Sequence, residues 1–105
     1  MVSRTFYSGW KVIERGDKLK FEIGNIYITR GAKEEIAEED IIKSLNRYTS
    51  CDWGELCKED RQANEDALKY GDRLFAVYKD SKGKKFYIIT EWDRSVTTIL
   101  LPSEY

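Results

Sequence analysis

The sequence predicts an α+β domain: an antiparallel sheet ending in a three-strand meander, with two to three helices packed on one face. Three observations predict it. Two apolar, β-branched runs near 85–91 and 96–101 flank a short polar knot at 91–95. A third strand-like run near 73–79 precedes them across a turn, 80–84, that holds Gly83. Upstream, between 31 and 70, apolar residues recur at spacings close to helical.

Residues 1–9 are polar and aromatic, with Gly9 as a breaker, and read as an arm or a first edge strand. A short strand at 10–14 would end in the turn Arg15-Gly16-Asp17. Leu19, Phe21 and Ile23 alternate with charged residues and so share one face of a strand. Gly24-Asn25 follows, a pair suited to a two-residue hairpin turn, and Ile26-Tyr27-Ile28-Thr29 returns. The expectation for 19–29 is therefore an antiparallel hairpin.

Glu34, Glu35, Glu38 and Glu39 suit the first turns of helices, where carboxylates meet the positive end of the dipole. Ile36, Ile41, Ile42, Leu45 and Tyr48 can form one packed face, which predicts a short helical turn near 31–37 and a fuller helix near 38–49. Cys51-Asp52-Trp53-Gly54 reads as a loop with Trp53 partly buried. A third helix, 58–70, has a thin apolar face of Ala63, Ala67, Leu68 and Tyr70 and stops at Gly71. In the meander, Asp93-Arg94-Ser95 turns between the last two strands and Pro102 ends the final one. The expected core is Leu74, Ala76, Phe86, Ile88, Ile99 and Leu45.

At 105 residues the chain is the size of a single domain, 1–105, with one core. No apolar run reaches the roughly 18–20 residues that span a bilayer, and the first residues lack the apolar core of a signal peptide. The expected location is the cytoplasm, with no membrane contact. Histidine is absent, which removes imidazole acid–base chemistry and His-containing triads. Cys51 and Cys57 alone cannot complete a tetrahedral zinc site and are expected reduced and partly buried. No metal and no cofactor is expected. Between 33 and 66 there are eleven acidic and five basic residues, so acidic character concentrates in the helices.

Three polar knots carry the candidate site residues. They are Asp52 with Trp53, Asp60 with Asn64 four residues on, and Glu91, Asp93, Arg94 and Ser95 with Thr97. The first eight of these are candidate binding residues. Asp60 and Asn64 would share a helix face, and Glu91 and Asp93 would share a strand face if the strand continued. In the plainer reading, Asp93 accepts amides across a tight turn and Arg73 or Arg94 pairs with a nearby carboxylate such as Glu91. Catalytic candidates are Glu91, Arg94, Arg73 and Tyr78, residue types that can move protons and stabilise phosphate charge without histidine.

The knots together resemble a family of small uncharacterised bacterial proteins labelled plasmid-related or mobile-element proteins. The resemblance rests on Thr29-Arg30-Gly31-Ala32, Asp52-Trp53-Gly54, the acidic helix from Asp60 to Leu68, and Thr90-Glu91-Trp92-Asp93-Arg94-Ser95 followed by Thr97-Thr98-Ile99-Leu100-Leu101-Pro102 and Tyr105. It covers roughly residues 26–105, and Arg30 stands where the family often has proline. It implies a mobile-element setting and assigns no activity.

The leading expectation is thus a small cytoplasmic protein that acts by binding another protein, with a host defence component as the partner such a setting suggests. One alternative is a small histidine-free ribonuclease of the toxin kind. The other is a nucleic-acid-binding module using Lys79, Lys82, Lys84 and Lys85 beside Tyr78, Phe86 and Tyr87. The acidic pI of about 5.6 argues against nucleic acid as the partner.

Overall fold

The computed structural model describes the backbone of residues 4–7 and all of residues 20–105. Among the described residues the elements run β1 (Arg4–Tyr7), β2 (Asn25–Thr29), α1 (Arg30–Glu35), α2 (Glu38–Thr49), α3 (Lys58–Tyr70), β3 (Leu74–Lys79), β4 (Lys85–Thr90) and β5 (Val96–Leu100). A single 3₁₀ turn, Pro102–Glu104, follows. The chain is α+β, and its C-terminal strands form the expected meander, β3 antiparallel to β4 and β4 antiparallel to β5. No helix among the described residues is long and apolar enough to cross a membrane.

The sheet is mixed rather than purely antiparallel. Its strand order is β1-β2-β5-β4-β3, and β2 runs parallel to β5 with Ile26 opposite Thr97 and Ile28 opposite Ile99. The hairpin expected at 19–29 does not form across the described residues 20–24, which are not strand. Instead β2 pairs antiparallel with β1, so Arg4–Tyr7 is the edge strand of the two readings offered for residues 1–9. The expected strand at 10–14 and the Arg-Gly-Asp turn lie outside the described residues.

Gly24 explains why the hairpin reading fails. Its φ is +60°, as a hairpin turn would need, but a Cβ there would lie 2.2 Å from the Ser95 carbonyl oxygen. The neighbouring Asn25 amide donates to that same carbonyl at 3.0 Å. The glycine thus lets two backbones meet at the start of the β2–β5 ladder. Phe21 and Ile23 are apolar at alternate positions because they cap the core. The Phe21 ring lies 5.3 Å from Tyr48 and 5.8 Å from Trp53, and Ile23 is buried.

The core lies between one sheet face and the helices. Ile26 and Ile28, Leu74, Ala76 and Tyr78, Phe86 and Ile88, and Ile99 meet Ala32, Ile36, Ile41, Leu45, Tyr48 and Ala67. All six residues expected in the core are 0 % exposed, and Trp53, expected partly buried, is 2 % exposed. Alternation in the strands and helical periodicity in α2 point at the same space, which is why the two layers find each other. A chain of hydroxyls crosses this core: Tyr48 to Thr90 at 2.7 Å, Thr90 to Thr97 at 2.8 Å, and Thr97 to the Ile23 carbonyl at 2.7 Å. Each buried hydroxyl therefore has a partner.

Candidate functional site

The Asp52-Trp53-Gly54 loop and Asn64 meet at the free edge of β3. Gly54 bridges to Val77, the Glu55 amide donates to the Val77 carbonyl at 2.7 Å, and a Cβ on Gly54 would sit 2.0 Å from that oxygen. Two positions along the strand, the Asn64 amide group donates to the Phe75 carbonyl at 2.6 Å and accepts from the Phe75 amide at 3.1 Å. An asparagine side chain here replaces a neighbouring strand. Asp60, by contrast, is exposed, so the two residues of this knot occupy different environments. The buried side of α3 is formed by Asn64 and Ala67, while Ala63 and Tyr70, expected on the apolar face, are exposed.

The loop itself is tied from both sides. Asp52 pairs with Arg47 through Nε at 2.8 Å and Nη2 at 3.2 Å, and accepts from the Gly54 amide at 3.2 Å. The Arg47 hydrogen bond, opposed by partial burial and aided by the Gly54 amide, holds the Asp52 carboxyl below its usual range. The Trp53 indole donates to Glu65 at 2.9 Å, and the Tyr78 hydroxyl donates to the Asp52 carbonyl. Burial pushes the Tyr78 phenol well above its ordinary value, with Asp52 and Tyr48 adding to the effect. Cys51 and Cys57 are free thiols; Cys51 is half-buried and Cys57, expected partly buried, is exposed at the start of α3.

At 91–95 the strand does not continue: β4 ends at Thr90, so Glu91 and Asp93 are not strand neighbours on one face. Asp93 accepts from the Ser95 amide at 3.1 Å and the Ser95 hydroxyl at 2.6 Å, which lowers its carboxyl, as the plainer reading expected. Of the two arginines expected to pair with a carboxylate, Arg73 does so, with Glu91; Arg94 does not. It adopts φ +61°, and its guanidinium donates to backbone carbonyls rather than to a carboxylate. The acceptors are Asp72 at 2.7 Å, Glu91 at 3.1 Å, Trp92 at 3.3 Å and Ala67 at 3.1 Å. Two of these, Ala67 and Asp72, belong to the C-terminal end of α3 and the link that follows it. A cation satisfies them in keeping with the helix dipole.

Arg73 approaches Glu91 at 3.8 Å, with the two side chains about half exposed at 50 % and 41 %, and its guanidinium lies 5.9 Å from the Tyr105 ring. Beside them an open cleft of about 250 Å³ is lined by Ile89, Thr98, Leu100 and Glu104 as well as these three residues. Tyr105 also packs near Tyr87 and Phe75, at 5.9 and 6.2 Å, on the sheet face away from the helices. Trp92, in the Arg94 turn, is 66 % exposed and Tyr70, at the end of α3, is 70 % exposed. Arg73 and Glu91 were expected to matter here. Trp92 and Glu104 were not assigned a role and Tyr70 was expected on the packed face of α3; only the unusual exposure of their large rings singles out Trp92 and Tyr70.

The four catalytic candidates do not converge. Tyr78 pairs with Phe86 at the far end of β3 and β4, whereas Leu74 opposite Thr90 marks the end that holds Arg73, Glu91 and Arg94. Tyr78 is 0 % exposed. The lysine hairpin lies at that far end too. There Lys84 pairs with Glu35, and Asp40 accepts from the Ser81 amide at 3.2 Å, so helix carboxylates face the hairpin. No protein-family model, curated protein or solved structure matches this chain.

Proposed function

We propose that this chain acts by binding another protein through its exposed rings, with Tyr70 and Trp92 carrying the contact. The observation that carries the reading is the exposure of three large rings: Tyr105, whose ring lies 5.9 Å from the half-exposed Arg73, and Tyr70 and Trp92, on the two segments that Arg94 ties together. Tyrosine, tryptophan and arginine are the residues on which binding energy concentrates at protein interfaces. The mobile-element setting and a host defence component as partner come with the resemblance over residues 26–105, the cytoplasmic location comes from the absence of a bilayer-length apolar run and of a signal-peptide core, and all three belong to this proposal.

The ribonuclease reading gains no support from the geometry, since Tyr78 stands apart from Glu91 and Arg73. The test is affinity capture from a host lysate by the wild-type chain and by Trp92→Ala and Tyr70→Ala, with melting temperatures measured alongside. A specific partner retained by the wild type and lost by both variants at unchanged stability is expected. Retention undiminished by either substitution, or no retained protein at all, overturns the proposal.

A further inference from the structure

The cleft between Glu91 and Tyr105 has a charge and a shape that its own residues leave unmatched. Two carboxylates, Glu91 and Glu104, line it against one cation, Arg73. The Arg73–Glu91 approach of 3.8 Å is longer than a hydrogen bond, and Glu91 has no other ionic partner among the described residues. Glu104 is differently placed: its oxygens accept from the Thr29 hydroxyl, from the Gly31 amide at 3.0 Å and from the Leu101 amide at 2.9 Å. It therefore keeps its charge in place but spends its hydrogen bonds internally. Glu91 is the carboxylate left to receive a donor. Ile89 and Leu100 lie beneath the cleft, only 2 % and 7 % exposed, and Tyr105, 69 % exposed, leaves most of its ring open.

We infer that this cleft is the socket for an arginine side chain of the protein partner, with Glu91 accepting from the guanidinium and Tyr105 stacking on its plane. This deepens, and rests on, the protein-binding reading. Arginine fits better than lysine because its planar head can take a carboxylate at its edge and a ring against its face at once.

The experiment uses the whole chain, labelled with ¹⁵N, and titrates it with three blocked amino acids: N-acetyl-arginine amide, its neutral counterpart N-acetyl-citrulline amide, and N-acetyl-glutamate amide. Saturable shifts at the Arg73 Nε–H and the Leu100 and Tyr105 amides are expected with the arginine probe. Binding should weaken by up to about fivefold with the citrulline probe and in Glu91→Gln, the effect of one exposed charge pair. Arg73→Ala should keep or strengthen it. Equal response to arginine and citrulline, an undiminished response in Glu91→Gln, or no saturable shift overturns the socket. Because no partner is present, that failure is separate from failure of the protein-binding reading, which Trp92→Ala and Tyr70→Ala test through capture.

Discussion

Glu104 shows how one carboxylate fixes its surroundings. Thr29 caps α1 by accepting from the Ala32 amide at 3.3 Å and passes its own proton toward Glu104. Gly31 is required by that contact, because a Cβ there would meet the Glu104 carboxylate at 2.6–3.0 Å. Alanine would otherwise favour the helix by roughly 0.5–1 kcal/mol over glycine. Gly31→Ala should instead destabilise the fold by about 1–3 kcal/mol, the cost of overpacking a held group. In a Glu104→Ala background the same substitution should turn neutral or favourable, and urea unfolding of the four variants measures the reversal. Burial alone would raise the Glu104 pKa, but the hydroxyl and amide bonds outweigh it and the value is lowered. Its contribution is therefore fully present above the ordinary glutamate range and is lost as pH falls through the depressed folded value. Glu104→Gln should flatten the acid limb of a stability–pH curve. Arg94 allows a second test at this scale. Glycine suits its φ of +61° better, yet Arg94→Gly should cost about 1–3 kcal/mol because four carbonyl bonds vanish. A more stable glycine variant would show that those bonds contribute less than the backbone strain.

At the scale of elements, the guarded edge of β3 joins sequence to stability. An unpaired edge offers its amides and carbonyls to other chains. Here Asn64 takes both polar groups of Phe75, and Glu55 takes the Val77 carbonyl. Asn64→Ala should cost about 2–4 kcal/mol, as two buried backbone groups lose their partners. It should also promote self-association, read by sedimentation. Asn64→Asp keeps the acceptor but sets a carboxylate oxygen against the Phe75 carbonyl in a buried place, and should cost at least as much as alanine. Much of the element structure was legible: α2, α3 and the meander follow from local periodicity and from Gly71, Gly83 and Asp93 at the turns. The Asp93–Ser95 tie was legible for the same reason, since both partners lie within two residues. What could not be read were contacts between distant segments. Arg94 reaches carbonyls at 67 and 72, and Glu104 reaches Thr29; neither spacing leaves a pattern in the sequence. The 20–24 segment was misread because a core-capping stretch and a half-buried strand both bury alternate side chains.

For the whole molecule, the two ends of the β3–β4 hairpin divide the labour. The far end is bound down by Glu35 and Asp40, while the near end carries the exposed rings of Tyr70 and Trp92. Between them the core is closed. Leu45→Ala and Ile88→Ala, both at fully buried positions, should each lower stability by about 2–5 kcal/mol. Trp92→Ala should leave the melting temperature nearly unchanged, because exposed side chains contribute little to folding. Comparing the three melting curves separates the residues that build the domain from those it displays.

The parallel pairing of β2 with β5 sets an order of events during synthesis. Asn25 faces Val96 and Ile28 faces Ile99, so a strand made early must wait for one made some seventy residues later. The helices and the β3–β4 hairpin rest on nearer contacts and can form first. At roughly 5–20 residues per second, a ribosome keeps Ile26 and Ile28 without their β5 partner, with only β1 to pair with, for several seconds. A nascent chain halted before residue 96 should expose those isoleucines to chaperones, and release of the remaining residues should bury them in a single late step.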